Sequence, residues 1–212
     1  MTSTSKFAIR LLHEDDYDQV ASLLKTSFFP DEPISRCIQI TETSEFSNIL
    51  INSCVSDKCS FVAYDTETNQ IVAVCLNEIT SKDHHVENNM VSDEKIRFIF
   101  QILNDVDRKV KVFERLNANT LLHIYIIAVD KIARGHDLAS RLISKSIECV
   151  AQEEFNIHGA YAEATNVYSL NCFKKQKFNI FDELIYTDYD SKRLVDLTDP
   201  MYDRCYLVGR NF

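Results

Sequence analysis

The sequence predicts an α/β protein built on one mixed, twisted sheet of about seven strands, with helices on both faces. Strand and helix patterns alternate along all 212 residues, and no linker, repeat or low-complexity stretch divides them. Residues 121–129 (LLHIYIIAV) are almost wholly apolar and rich in β-branched side chains, as in a central strand covered on both faces. A helical pattern joins this strand to the next one, which implies a right-handed parallel crossover. We therefore expect a single domain, 1–212.

In the first half of the chain, apolar residues alternate or recur at helical spacing, which separates strands from helices. The segment FFPDEPI (28–34) interrupts one helical pattern, because the residue before a proline avoids the helical region and Pro33 suits the first turn of a new helix. The expected elements are a strand over 5–12, a helix over 14–27, a helix from Pro33 to about Leu50, and a hairpin of strands 60–65 and 71–78.

In the second half, a stripe of apolar residues at steps of three and four predicts a long helix that packs on the core. The direction of the last strands is not determined by the pattern. The expected elements are a helix over 93–117, a strand over 121–129, a helix from about residue 138 to 150, a strand over 159–163, a helix over 168–175, and strands over 178–186 and 205–208.

Composition excludes several classes of function. The chain has only three glycines, so neither the dinucleotide pattern GxGxxG nor the phosphate loop GxxxxGK[ST] can be formed. Its formal net charge of −9 argues against nucleic acid or an anionic membrane as the main partner and favours cationic substrates. There is no apolar window of about 18 residues and no hydrophobic signal core, so we expect neither a membrane span nor secretion.

The seven cysteines are scattered and contain no CxxC pair. We interpret them as reduced thiols in a cytoplasmic protein and expect no metal. The alternative is a metal site formed by Cys54, Cys59, His84 and His85, but their spacing is not that of a zinc finger.

The junction after the buried strand, KIARGHDLA (131–139), is a candidate anion site. The first amides of a helix are unpaired and the helix dipole is positive there, so a phosphate can bind to backbone N–H groups, with Arg134 as an added cation. In the alternative interpretation Gly135 only relieves a tight turn and Asp137 caps the helix.

The segment Val129–Leu142 (VDKIARGHDLASRL) resembles the pyrophosphate motif of the GNAT N-acetyltransferases. Arg134 stands at the first position of that motif, Ala139 at its last, and Asp137 at its inner glycine. The element order also resembles the GNAT fold along nearly the whole chain. The resemblance implies acetyl-CoA as co-substrate, bound by Ile127, Ala128, Val129, Arg134, Gly135, His136, Asp137, Leu138 and Ala139, with Lys175 near its 3′-phosphate.

FFPDEPI is similar to a segment of the insect arylalkylamine N-acetyltransferases, in which the glutamate is the general base. The resemblance gives that role to Glu32. It places Thr165 and Ser169, four residues apart, near the thioester and the leaving thiol. Lys177 stands where this family usually has a second glycine. The substrate-binding residues expected around Glu32 are Phe28, Phe29, Asp31, Pro33 and Tyr64.

The expected function is acetyl transfer from acetyl-CoA to a small arylalkylamine such as dopamine, tyramine, tryptamine or serotonin, by direct attack in a ternary complex. An agmatine or polyamine N-acetyltransferase is the alternative within the same fold. Two further alternatives are a peptide N-terminal acetyltransferase, which would share the fold and the cofactor but need an open groove, and a non-catalytic acyl-CoA-binding protein. We expect a small amine as partner, neither nucleic acid nor membrane, and a monomer, with oligomers left open.

Overall fold

Seven strands form one sheet in the computed structural model, which describes residues 6–41, 43–82, 92–152 and 155–212. The strand order is β1-β2-β3-β4-β5-β7-β6. β4 and β5 run parallel, and the other neighbouring pairs are antiparallel. The strands are β1 Phe7–Leu11, β2 Phe61–Asp65, β3 Ile71–Ser81, β4 Thr120–Val129, β5 Gly159–Ala164, β6 Asn179–Ile185 and β7 Arg204–Asn211. The mixed sheet and the parallel crossover are confirmed.

Helices cover both faces of the sheet. They are α1 Tyr17–Leu23, α2 Pro33–Cys37, α3 Ser44–Ser56, α4 Glu94–Val110, α5 Val112–Arg115, α6 Leu138–Val150, α7 Val167–Lys175 and α8 Tyr186–Tyr189. One core cluster joins α6 and α7 to the sheet, and a second joins α1 and α3 to it. Among the described residues, no helix is long and apolar enough to cross a bilayer.

Two predicted helices are wrong in extent. The helix expected from Pro33 to Leu50 is divided into α2 and α3, because Gln39 adopts a positive φ of 54° and the polar residues after it favour non-helical backbone. The helix expected over 93–117 ends at Val110, where Lys111 turns the chain with a φ of 52°. The short helix α8 was not predicted.

β4 lies at the centre of the fold and separates the two core clusters. Leu122 and Ile124 pack with the cluster that contains α6, whereas Ile126 and Ala128 pack with the cluster that contains α1. The change of side occurs at Tyr125, an extra residue opposite the Leu76/Asn77 step of β3, which is the geometry of a β-bulge.

The pairing of β4 with β5 is short. It consists of Leu122 with Ala160 and His123 with Tyr161, although β4 continues to Val129 and β5 to Ala164. The two strands therefore diverge after His123, and the backbone groups that face the gap have no ladder partner within the described sheet. This gap determines where a ligand can enter.

A buried polar network centred on Asn77 fixes β3 beside the bulge. The fully buried amide donates from Nδ2 to the Cys59 carbonyl at 2.7 Å and to Ser146 Oγ at 2.9 Å. The backbone N–H of Asn77 donates to Ser60 Oγ at 2.9 Å, and Ser146 donates on to the Leu142 carbonyl at 3.0 Å. The network thus joins β3, the start of β2 and α6.

We expect Asn77→Ala to lower the free energy of unfolding by about 2–4 kcal/mol, because it leaves several buried groups without a partner. Urea unfolding monitored by circular dichroism measures this. Asn52→Ala is the matched control, since Asn52 donates to Asn48 Oδ1 on an exposed helix face, and its effect should stay below about 0.5 kcal/mol. Equal effects of the two substitutions would contradict the role of the network.

Candidate active site

A cavity of about 890 Å³ occupies the gap between β4 and β5. Its walls come from the α1–α2 connection, α4, β4, the turn before α6, β5 and α7. Fifteen of the predicted site residues line it: Phe28, Phe29, Asp31, Glu32, Ile127, Ala128, Val129, Arg134, Gly135, Asp137, Leu138, Ala139, Thr165, Ser169 and Lys175. The structure therefore brings most of the predicted site together, from segments that are far apart in the sequence.

Three predicted site residues do not line the cavity. Tyr64 lies on β2, where the Arg10 guanidinium covers its ring at 5.5 Å. The His136 ring packs edge-on against Phe7 at 5.0 Å, and Pro33 is buried in the first turn of α2. His84 and His85, considered for a metal site, lie outside the described residues.

The α1–α2 connection carries Phe28, Phe29 and Glu32 into the cavity through a widened helical turn. Leu24–Phe28 is a π-helical turn, closed by a bond from the Phe29 N–H to the Leu24 carbonyl at 3.0 Å. Such turns recur at functional sites because the inserted residue changes the direction of the side chains that follow. The Glu32 N–H then donates to the Phe28 carbonyl at 2.8 Å.

Glu32 is the N-cap of α2, with a side chain that accepts two backbone hydrogen bonds. Oε1 accepts from the Ile34 N–H at 3.1 Å and Oε2 from the Ser35 N–H at 2.6 Å. The residue is only 6% exposed and lines the cavity. Each oxygen has a second acceptor position, so the cap holds the carboxylate in one orientation and still leaves it able to accept a proton or a bond from a ligand.

Asp31 joins the α1–α2 connection to the turn after β4. Its carboxylate contacts Arg134 Nη2 at 2.5 Å and Lys131 Nζ at 3.7 Å. Partial burial acts to raise the pKa of Asp31, but hydrogen bonding and charge from Arg134, with help from Lys131, lower it below its usual value. Arg134 also donates from Nε to the Val129 carbonyl at 3.3 Å, which holds the guanidinium across the end of β4.

Asp137 occupies the position at which the motif has an inner glycine. Its φ of 56° is left-handed, a conformation that Asp adopts more readily than most residues. The carboxylate makes no capping bond to α6 and instead pairs with Lys175 Nζ at 2.7 Å. The first amides of α6, at Leu138 and Ala139 in the cavity wall, are therefore not occupied by this side chain.

The residues of this turn fit an anionic diphosphate. Arg134, Lys131 and Lys175 supply positive charge, and Gly135, with a φ of 83° and nothing within 4 Å of an added Cβ, leaves the backbone accessible.

Lys177 also stands in place of a family glycine and has a φ of 63°, in the turn that ends α7. Both non-glycine residues keep the backbone conformation that glycine would favour.

Thr165 and Ser169 lie at the start of α7. Asn166 is the N-cap of this helix, and its Oδ1 accepts from the Ser169 N–H at 2.8 Å. Ser169 Oγ donates to the Asn166 carbonyl at 3.0 Å, and the Thr165 carbonyl accepts from the Tyr186 hydroxyl at 3.0 Å. The two hydroxyl residues are thus fixed at the wall of the cavity by the helix start.

Sequence reasoning missed several residues of the cavity wall. Ile99 and Leu103 belong to the apolar stripe of α4 that predicts a core face; they pack against a core cluster and also line the cavity, as does Phe100. Glu163 on β5 also lines it, and its charge inside the small apolar strand GAYAEA was the signal that could have identified it. Cys172 lies in the wall as well, but burial raises the pKa of its thiol and makes it a poor nucleophile.

No family model matches the chain. The solved structures that share its fold over nearly its whole length include the following three. Arylalkylamine N-acetyltransferase 2 from Aedes aegypti has a TM-score of 0.86 and 23% identity, over 98% of this chain and 99% of that one. The polyamine N-acetyltransferase of Drosophila melanogaster, described as forming N-acetylagmatine, has a TM-score of 0.81 and 19% identity, over 97% and 100%.

The third is the C-terminal condensation domain of Ebony in complex with β-alanyl-dopamine, with a TM-score of 0.77 and 17% identity over 99% and 100% of the two chains. At these identities the likeness shows the fold. The GNAT fold, expected from the resemblance, is confirmed.

We expect Asp137→Asn to tighten coenzyme A binding by about threefold to tenfold, because it removes a negative charge from the anion site and frees Lys175. Asn also tolerates the left-handed backbone, so the turn is preserved. Isothermal titration calorimetry measures the dissociation constant. The control is Glu148→Gln, which breaks the exposed pair with Lys145 at the other end of α6. Unchanged or weaker binding by Asp137→Asn would show that the carboxylate does not oppose the ligand.

Proposed function

We propose that the protein transfers an acetyl group from acetyl-CoA to a small primary amine. The observation that carries this proposal is the joint position of Glu32, the unpaired end of β4 and the start of α6 around one cavity in a GNAT fold. Glu32 offers a base, the end of β4 offers backbone donors, and the start of α6 offers an anion site. An amine acetyltransferase needs all three beside one another.

Coenzyme A supplies the acetyl group as a reactive thioester. Arg134, Lys175 and the first amides of α6 would hold its diphosphate and phosphate groups, since they combine positive charge with unpaired N–H donors. When the phosphates bind, Arg134 would exchange some or all of its contact with Asp31 for contact with them. This exchange keeps the guanidinium paired in both states.

Glu32 would take the proton that the amine loses. A primary ammonium has a pKa of about 10.4, so it must be deprotonated before its nitrogen can attack the thioester. The buried carboxylate lies in the cavity wall with its orientation fixed by two amides, which suits it to accept that proton directly or through a water molecule. Phe28 and Phe29 limit the access of bulk water to it.

Backbone N–H groups between Ile124 and Val129 would stabilise the negative charge that develops on the thioester oxygen. The groups that do not point to β3 face the gap where β5 has diverged, and such donors need no rearrangement during the reaction. Ser169, with Thr165 beside it, lies on the opposite wall, and its hydroxyl would turn from the Asn166 carbonyl to donate its one proton to the departing thiolate. With Cys172 present as a protonated thiol, direct transfer is favoured over an acyl-cysteine.

The substrate end of the cavity is apolar and aromatic. Phe28, Phe29, Phe46 and Phe100 form a chain of edge-to-face contacts with centroid distances of 5.2, 6.0 and 5.5 Å. Such walls suit the body of an arylalkylamine or the methylene chain of a polyamine.

We expect thiol release from acetyl-CoA in the presence of small primary amines, followed with a thiol reagent. Glu32→Gln should lower kcat/KM by about 100-fold or more at neutral pH and change its rise with pH, since the amide accepts no proton. Gln keeps one oxygen that can cap α2 and loses the second capping bond, so circular dichroism is used to confirm that the variant is folded. Folded protein that binds coenzyme A but releases no thiol with any amine would overturn the proposal in favour of a non-catalytic binding protein.

The matched control is Asp93→Asn. Asp93 caps α4 by accepting from the Lys95 and Ile96 N–H groups at 2.8 and 3.1 Å, as Glu32 does for α2, but it does not line the cavity. Its substitution should alter stability alone. Equal losses of activity in the two variants would assign Glu32 a capping role and no part in proton transfer.

A further inference from the structure

Glu163 is a buried carboxylate that the proposed chemistry does not use. It lies on β5 two residues beyond Tyr161, where the pairing with β4 ends, and its side chain is 6% exposed although it lines the cavity. Oε2 lies 2.7 Å from His123 Nε2. Within the described part of the chain, Oε1 has no hydrogen-bond partner, so one oxygen of a desolvated carboxylate remains available to a ligand.

His123 fixes the position of this carboxylate. Its ring is stacked on Tyr161 at 4.2 Å with an interplanar angle of 7°, and Tyr125 packs against it at 3.9 Å. Burial acts to lower the pKa of His123, but the negative charges of Glu163 and Asp107 raise it above its usual value. The imidazole is held between two aromatic rings and cannot turn away from Glu163 without repacking both.

Asp107, on α4, adds a second carboxylate to this group. Burial, and then the charge of Glu163, raise the pKa of Asp107 to about 6. Its Oδ1 is buried and unpartnered among the described residues. A second carboxylate thus lies close enough to the pair of Glu163 and His123 for its charge to act on both.

The cavity therefore has carboxylates at two separate points. Glu32 lies at the N-cap of α2 and Glu163 on β5, and both line the cavity. Ile99, Phe100 and Leu103 contribute apolar wall to this cavity. Such a cavity is complementary to a short apolar chain with a cationic group at each end.

We propose that Glu163, positioned by His123, is a specificity-determining residue that binds the second cationic group of a diamine or guanidino-amine. This rests on the proposed function, in which the reacting amine lies at Glu32. A desolvated carboxylate forms its strongest hydrogen bonds with a cationic donor, so an analogue without that group leaves the carboxylate unpaired. The net charge of −9 also favours the approach of a substrate with two positive charges.

The test compares 1,4-diaminobutane with butylamine, which has the same carbon chain and lacks the second amine. We expect kcat/KM of the wild-type protein to be at least about tenfold higher for the diamine, with the difference falling as salt is added. Glu163→Gln should raise KM for the diamine by about tenfold and leave KM for butylamine within about twofold. Glu183→Gln, an exposed carboxylate on β6 paired with Arg204, is the control and should change neither.

Each outcome decides the proposal. A rise in KM for the diamine alone in Glu163→Gln supports the proposal, because a purely structural role of Glu163 would affect both amines alike. If kcat/KM of the wild-type protein is equal for butylamine and the diamine, Glu163 does not bind a second cation. The same conclusion follows if the protein prefers tyramine to phenylethylamine and shows no preference for diamines. If Glu163→Gln does not fold, the wild-type comparison still decides. No turnover of any amine overturns the proposed function and this inference together.

Discussion

The divergence of β4 from β5 is the constraint on which the rest of the site depends. If β4 were paired with β5 along its whole length, its backbone donors would be hydrogen-bonded to that strand and no space would remain for a ligand. Here the ladder consists of two pairs and ends at His123. Beyond that point the sheet has a gap with polar backbone on its edges, and the cavity of about 890 Å³ occupies it. The bulge at Tyr125 lies at the same place and redirects the strand.

Charge is arranged around this gap in pairs. Asp31 pairs with Arg134, Asp137 with Lys175, and Glu163 with His123. The first two pairs are exposed to solvent and exchange readily with a phosphate, because exposed ion pairs contribute little stability. The third is buried and persists. Under the proposed function, this difference would separate an adaptable coenzyme A side from a rigid amine side.

Much of the fold was predictable because strands carry strong local signals. The apolar run of β4, and the two segments joined by the polar TETNQ that became β2 and β3, indicated their elements within a few residues. The helix breaks at Gln39 and Lys111 depend on single positive φ angles that periodicity does not report. The insertion of β7 between β5 and β6 depends on pairing between distant segments, which a local pattern does not determine.

The candidate site was predictable where a motif marked it and not where the fold alone assembled it. The turn at 131–139 and the segment 28–34 were both identified from the sequence, and both line the cavity. The glycine scarcity proved less restrictive than expected, because Asp137 and Lys177 adopt the left-handed backbone themselves. The wall supplied by α4 and the pair of Glu163 with His123 arise only when distant elements pack together.

The most direct test of the account is amide hydrogen exchange with and without saturating coenzyme A, resolved to single residues. The account predicts slower exchange at the end of β4, from Ile124 to Val129, and at the first turn of α6, because a ligand would cover the donors that β5 leaves unpaired. Saturation by coenzyme A with protection confined to other parts of the chain would contradict it.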